Sequence, residues 1–425
     1  MTSALDLFLP CPLGVEDLLA QEAFDITGLK PHVQRAGVWL RGDEQDMMAL
    51  NLHSRMAQRV LLRVWHGLYR DEQDIYEAAT AVAWEDWFGA RDTFRIDTTA
   101  NRSPLKSLNF ATLRIKDAIV DRFREREGER PSVDTHQPRV RLTAHLDAET
   151  LGLFIDTSGE PLFKRGWRQD KGDAPLKETL AAALIAATGW DPHGDAPLYD
   201  PCCGSGTIPI EAAQMACRVA PGLERRFGFE RLRGFNSHIW RQMQTEAQDM
   251  VLRTPAPVRV FGSDVSHRMV DFAQRNAERA GVAQALELRG GDALQRTPPS
   301  PHPGILLLNP PYGERIDVAG VAGSAARGAN RRFQSGSTLH TRAAAPHPAP
   351  DEGAAQSFYN ALSAHWKTHF DGWTAWVLTP DMKLPGLMRL KESRRLPVFN
   401  GPIDCRLFRF DLTARRVRDD SPTAP

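Results

Sequence analysis

Apolar and polar positions alternate at Leu5, Leu7 and Leu9, a period of two that predicts a strand. Gly14 to Ala20 then takes helical spacing, and Val38-Trp39-Leu40 reads as a returning strand. Residues 1–68 are thus expected to form a small α+β unit. A second unit is expected over 69–168. In it Leu113, Ile115, Ala118, Ile119 and Phe123 sit near helical spacing. Val140, Leu142, Ala144 and Leu146 then face one way, with Arg139, Arg141 and His145 on the other. Leu151, Leu153 and Ile155 continue after a turn at Asp147 to Thr150, so an antiparallel pair with one buried and one wet face is predicted.

From residue 173 strands alternate with helices, the pattern of a parallel α/β sheet. Helix is predicted from Leu176 to Ala187, strand at Pro197 to Asp200, and helix from Ile210 to Val219. Val258 to Gly262 is a second strand, followed by a helix from Ser266 to Ala280 that stops at Gly281. Leu286 to Leu288 and Gly304 to Leu308 supply the third and fourth strands. A helix at Phe358 to Trp366, a strand at Trp373 to Leu378 and a terminal hairpin through Cys405 to Phe410 complete a domain expected over 173–415. The aperiodic stretch 319–353, rich in Ala, Gly, Ser, Arg, His and Pro, reads as a disordered insertion.

Composition narrows the class. At 425 residues, 42% hydrophobic and 25% charged, the chain is of ordinary globular type. No apolar run approaches the ~20 residues of a membrane helix, and the N-terminus lacks a secretory signal. Five cysteines, an odd number with two adjacent, form neither a disulfide framework nor a metal-ligand spacing; a reduced, cytoplasmic protein without metal is expected. Fifty-three basic and 53 acidic residues cancel, so bulk charge names no partner. Only nine of those basic residues are lysine. Arginine suits phosphate and base recognition, although codon bias in a GC-rich genome gives the same count. A basic cluster from Arg389 to Arg418 fits either an RNA-facing stripe or a solvated face.

The strongest chemical signal is Asp200-Pro201-Cys202-Cys203-Gly204-Ser205-Gly206-Thr207, between a strand end and a helix. Glycines at 204 and 206 permit a tight turn and close approach of a ligand to backbone. A dinucleotide fingerprint would want a third glycine where Pro209 stands, which disfavours a dehydrogenase. An acid ahead of the glycines suits a cationic ligand better than a pyrophosphate. S-adenosyl-L-methionine (SAM) carries both a sulfonium and an ammonium. Asp264 ends the second strand, where a carboxylate can accept two ribose hydroxyls; Asp292 follows the third, placed for an adenine amine. Each acid alone could be a helix cap or a turn residue. Together, at three successive strand ends, they point to a cofactor site.

Asn309-Pro310-Pro311-Tyr312 follows the fourth strand. Prolines stiffen the backbone and carry no N–H, leaving carbonyls free to accept. The Asn309 amide oxygen and the Pro310 carbonyl can accept both protons of an exocyclic amine, and the Tyr312 ring can stack on its base. Such an amine is a weak nucleophile, so positioning carries the catalysis and no strong base is needed.

These residues resemble the class I SAM-dependent methyltransferases that carry an N-terminal THUMP RNA-binding domain, nearest to bacterial 23S rRNA guanine-N2 methyltransferases of the RlmL type. The matching stretches are Lys116 to Asp121, Leu162 to Arg168, Ala174 to Glu178, Asp200 to Gly206, Asn309 to Arg315 and Asn400 to Cys405. The resemblance implies an α/β fold: a Rossmann-like seven-stranded methyltransferase domain with an antiparallel last strand, preceded by an α+β ferredoxin-like and THUMP region. It implies SAM contacts from Asp200, Pro201, Gly204, Gly206, Asp264 and Asp292, a base pocket at Asn309, Pro310, Pro311 and Tyr312, and RNA as partner. In some bacteria such an enzyme is fused to a second methyltransferase; none is expected within these residues. The Asn-Pro-Pro-Tyr run alone is shared with DNA adenine and protein glutamine methyltransferases. tRNA guanine is the nearest rival substrate, and a non-catalytic ribosome-assembly factor is the alternative outside enzymes.

Overall fold

Leu5, Leu7 and Leu9 open the first strand of an eight-stranded sheet in the computed structural model, which describes residues 4–172, 176–252, 258–310 and 352–413. The strands are β1 (Leu5–Pro10), β2 (His32–Gln34), β3 (Gly37–Gly42), β4 (Leu61–Leu68), β5 (Thr93–Ala100), β6 (Ser132–Val133), β7 (Val140–Leu146) and β8 (Thr150–Asp156), in spatial order β2-β3-β1-β4-β8-β7-β5-β6. Central β4 pairs with β1 on one side and β8 on the other, so the stretches expected as 1–68 and 69–168 share one sheet. β7 alternates as predicted, burying Val140, Leu142, Ala144 and Leu146. The wet face predicted for both strands belongs to β7 alone. β8 is buried from Leu151 to Asp156, because it lies between β4 and β7 and its outer face carries Phe154 against Trp39.

The molecule divides into two compact units, Met1–Gly166 with Arg218–Val251, and Trp167–Cys217 with Leu252–Pro425. Residues 218–251 therefore depart from the expected continuous domain over 173–415. The reason is apolar: Phe227, Phe229, Phe235 and Trp240 form an aromatic cluster with centroids 5.0–5.7 Å apart. Backbone bonds then fasten the segment down, from Gly222 N–H to the Leu52 carbonyl (2.9 Å), Phe229 N–H to Thr157 (2.9 Å) and Arg233 N–H to Trp87 (2.8 Å). At Gly228 the contact is closest, since a Cβ there would stand 2.6 Å from the Asp156 carbonyl oxygen. Only glycine fits without movement of the backbone.

The second unit holds β9 (Leu198–Asp200), β10 (Val260–Asp264), β11 (Leu286–Gly290), β12 (Ile305–Leu308), β13 (Thr374–Thr379), β14 (Arg394–Asn400) and β15 (Ile403–Asp411), in order β11-β10-β9-β12-β13-β15-β14. β9 to β13 pair in parallel and β15 runs antiparallel to β13, the implied seven-stranded arrangement. Its strands are apolar runs because helices cover both faces. One face packs Tyr199, Leu306, Leu308 and Val377 against Trp366, Phe370 and Trp373 of the helix Glu352–His369 and the turn after it. That helix begins at Glu352, inside the stretch expected to be disordered; residues 319–351 lie outside the described ones. Among the described residues, no helix is long and apolar enough to cross a membrane.

Truncation of the buried Trp240 tests the assignment of 218–251. Trp240→Ala should destabilise the first unit by about 3–5 kcal/mol while leaving the second unit's unfolding midpoint unchanged, as read by urea denaturation with hydrogen exchange resolving the two units.

Candidate active site

Parallel strands deliver their carboxyl ends to one edge of the sheet, and the second unit uses three of them in succession. Asp200 closes β9, Asp264 closes β10, and Asp292 stands two residues beyond β11. The register aligns Gly262 with Asp200 and Asp264 with Gly290, so the three acids step along neighbouring strand ends. Burial raises the Cys202 thiol most, and the negative charges of all three acids raise it further.

That loop, from Asp200 to Gly206, is shaped by two glycines in the left-handed region. Gly204 has φ 54° and Gly206 φ 88°. They serve differently. A Cβ on Gly206 would come 2.9 Å from the Ala273 Cβ, so this glycine lets the loop pack on the helix His267–Arg279. A Cβ on Gly204 would meet nothing within 4 Å, so this one bounds open space. Asp264 fixes the loop, its Oδ2 accepting from Gly204 N–H (3.0 Å) and its Oδ1 from Ser266 N–H (2.9 Å). Asp200 Oδ1 accepts from Cys202 N–H (3.0 Å), and Asp292 Oδ1 from Leu294 N–H (2.9 Å).

Burial pushes the Asp200 carboxyl well above the ordinary carboxylate range, and the negative charge of Asp264 pushes it further. Asp264 is raised too, chiefly by burial. The site thus holds carboxylates short of positive charge. Burial likewise holds the Cys202 and Cys203 thiols far above their usual value, which makes them poor nucleophiles.

Asn309, directly after β12, shares a cavity of about 110 Å³ with Asp200, Cys202, Gly204, Ser205 and Thr207. Its Oδ1 is buried and has no hydrogen-bond partner among the described residues. A buried, unpaired amide oxygen is costly, and it suits a site that receives a donor. Pro310 is buried beside it; Pro311 and Tyr312 lie outside the described residues.

Sequence reasoning gave no role to Arg168, Leu176 or Asn276, which the fold brings to this loop. The Arg168 side chain is 10% exposed and donates from Nε to Glu178 (2.9 Å), and from Nη2 to the Leu176 carbonyl (2.8 Å) and Thr207 Oγ1 (2.9 Å). Leu176 and Thr207 both line the cavity, so Arg168 ties two of its walls. Asn276 Nδ2 donates to the Ser205 carbonyl (3.0 Å), bracing the loop from the helix behind it. The quoted run ending in Arg168 was the available signal, but a largely buried arginine cannot be told from a surface one by sequence. The late basic cluster is partly neutralised where described: Arg406 pairs with Asp404 and Arg409 with Asp411.

Comparison with known proteins agrees with this architecture. Residues 6–61 match the RlmL ferredoxin-like domain, 69–156 the THUMP domain, and 165–327 the RMKL-like methyltransferase domain. A protein named ribosomal RNA large subunit methyltransferase K/L from Shewanella baltica (strain OS185) is 34% identical over 424 residues, covering 99% of this chain and 55% of its own. Its namesake from Psychromonas ingrahamii is 35% identical over 426 residues, covering 99% and 52%. The chain spans about half the length of the curated relatives it matches. Among solved structures, SMU.472 complexed with SAH superposes with a TM-score of 0.80 at 25% identity, over 98% of this chain and 100% of the other. A predicted N6-adenine-specific DNA methylase from Listeria monocytogenes str. 4b F2365 superposes with a TM-score of 0.79 at 27% identity, covering 96% of each.

Proposed function

We propose that this chain, which joins an RlmL-type ferredoxin-like domain and a THUMP domain to a class I methyltransferase domain, transfers a methyl group from SAM to the exocyclic N2 of a guanine in 23S rRNA. The observation that carries the reading is the buried Asn309 Oδ1, without a partner among the described residues, in one cavity with Asp200 and the glycine loop. It sets an amine acceptor beside a seat for a cation. The names of the relatives support ribosomal RNA as the substrate class, and the Asn-Pro-Pro run supports an amine as the target.

Bound SAM would supply an electrophilic methyl group on a sulfonium. Asp200 provides negative charge for the cationic end of that molecule. Asp264 spends one lone pair on the Gly204 amide and one on the Ser266 amide and has others to accept ribose hydroxyls. Asp292, two residues beyond β11, would accept from the adenine amine, and the open space at Gly204 would leave room for the ligand against its backbone. Asn309 Oδ1 and the Pro310 carbonyl accept the two amine protons and turn the nitrogen toward the methyl group. Their contribution is orientation, and the proton released on transfer leaves to water. A guanine must leave its stack to reach this cavity, as bases do in other base-modifying enzymes.

Asn309→Ala should lower the transfer rate about 100-fold or more with SAM affinity nearly unchanged; equal loss of both would refute the assigned role. Asp264→Ala should weaken SAM binding by about ten- to a hundredfold, the worth of a charged hydrogen bond, measured by calorimetry. Asp264→Asn, which can still accept at its amide oxygen, should lose less.

The raised carboxyls of Asp200 and Asp264 set the direction of pH dependence. A cationic ligand favours their ionised forms, so binding should release protons and tighten as pH rises from the ordinary carboxylate range toward neutrality. Calorimetry in buffers of different ionisation enthalpy reads that release; affinity that falls with rising pH would contradict the role of both acids.

The deciding experiment incubates the protein with methyl-labelled SAM and, separately, unmodified 23S rRNA, tRNA and DNA, then identifies the labelled nucleoside. N2-methylguanosine from 23S rRNA is the expected product. The same product from tRNA moves the target, methyladenine refutes the guanine assignment, and absence of label from all three refutes catalysis on naked nucleic acid.

A further inference from the structure

In the first unit, a cleft of about 600 Å³ opens between the stretch leading into β7 and residues 226–231 of the segment that packs on the sheet. Four guanidiniums line it: Arg139, Arg141, Arg226 and Arg231. Each is held by one contact, leaving most of its five N–H donors for a ligand. Arg139 Nε reaches Asp92 (2.9 Å), Arg141 Nη2 reaches Glu160 (2.5 Å), Arg226 Nη1 reaches Glu230 (3.2 Å), and Arg231 Nη1 reaches the Pro138 carbonyl (3.2 Å). Arg231 has a backbone partner only, and Glu160 is shared with Lys164, so cations exceed acids around the cleft. Behind it Arg225 donates to the Glu160 and Pro161 carbonyls and lies over the Phe227 ring. Burial, aided by cationic Arg165, pulls the Arg225 guanidinium down to about 10.

The chemistry of the walls selects the ligand. Guanidinium forks match pairs of phosphate oxygens. Phe227 is buried, which leaves the His136 imidazole as the one ring in the wall open to stacking. Such a cleft grips backbone and does not read bases. Its volume admits a nucleotide or two. We infer that this cleft is a phosphodiester-binding site for the RNA substrate, built jointly by the THUMP sheet and by residues from within the methyltransferase stretch of the sequence. This rests on the RNA reading above.

The test uses the full chain and a fluorescent 23S rRNA fragment, with anisotropy measured across a salt series. Arg139 and Arg226 are the variants of choice because their side chains are 58% and 90% exposed and their loss leaves the core intact. The double variant Arg139→Glu/Arg226→Glu should weaken RNA binding at least about tenfold and flatten the slope of log affinity against log salt by about 1.5. SAM affinity should stay unchanged. Arg139→Gln/Arg226→Gln should lose less, and Arg91→Glu, which changes net charge as much as the double Gln variant but lies outside the cleft lining, should match wild type. Wild-type affinity and slope in the double variant would overturn the site while leaving the RNA reading intact. Failure of the wild-type protein to bind any RNA would overturn both. Inorganic phosphate and GMP, titrated in parallel, distinguish the source: tight binding of either, with RNA affinity insensitive to the double variant, would also overturn the proposal.

Discussion

One hydrogen bond holds the second unit's site in shape: the Gly204 amide donating to Asp264 Oδ2 at 3.0 Å. It joins the loop after β9 to the end of β10, and through Ser266 the same carboxylate caps the entry to the next helix. With that bond in place Gly204 faces open space, Asp200 stays buried and Asn309 looks into the cavity. A carboxylate held by two amides ties the Gly204 turn to the end of β10 and orders this wall of the site. The bracing continues outward. Arg168 links Thr207 to Leu176 and Glu178, and Asn276 holds the Ser205 carbonyl from the far side of the loop.

Much of this was legible because it is local. Strand ends, glycine turns and acids in sequence order follow from the period of the apolar pattern and from chain direction in a parallel sheet. What escaped was long-range. Helix Ser237–Asp249 looks polar along most of its length, and its two buried positions, Trp240 and Ala247, give no sign of where they pack. The aromatic residues at 227, 229 and 235 follow no period, so nothing local announces that they return to the first unit. The reading of β8 as half-wet failed for a related reason. Its alternation was real, but its central place in the sheet, set by pairing with distant β4, buries the second face too.

Charge behaved likewise. A balanced census over the whole chain hides a local excess, because the arginines at 139, 141, 226 and 231 meet only after folding. In the cleft Arg139, Arg141 and Arg226 pair with Asp92, Glu160 and Glu230, while Arg231 meets a backbone carbonyl, so the local excess is one guanidinium. Arginine's abundance, which codon usage alone could produce, thus acquires structural content where its forks converge. In the late cluster, Arg406 and Arg409 have acidic partners two residues away on the same strand.

The excursion of residues 218–251 closes at its neck, where Leu252 N–H donates to the Cys217 carbonyl at 2.8 Å. The chain thus leaves the second unit and re-enters it at nearly the same place. In genetic terms the first unit is not a cassette. A recombination that exchanged residues 1–166 alone would bring in a sheet without the aromatic segment fitted to it. Phe227, Phe229 and Trp240 would then face a foreign surface. Exchange of the first unit is viable only when both of its segments travel together, so residues 1–166 and 218–251 are expected to diverge as one inheritance.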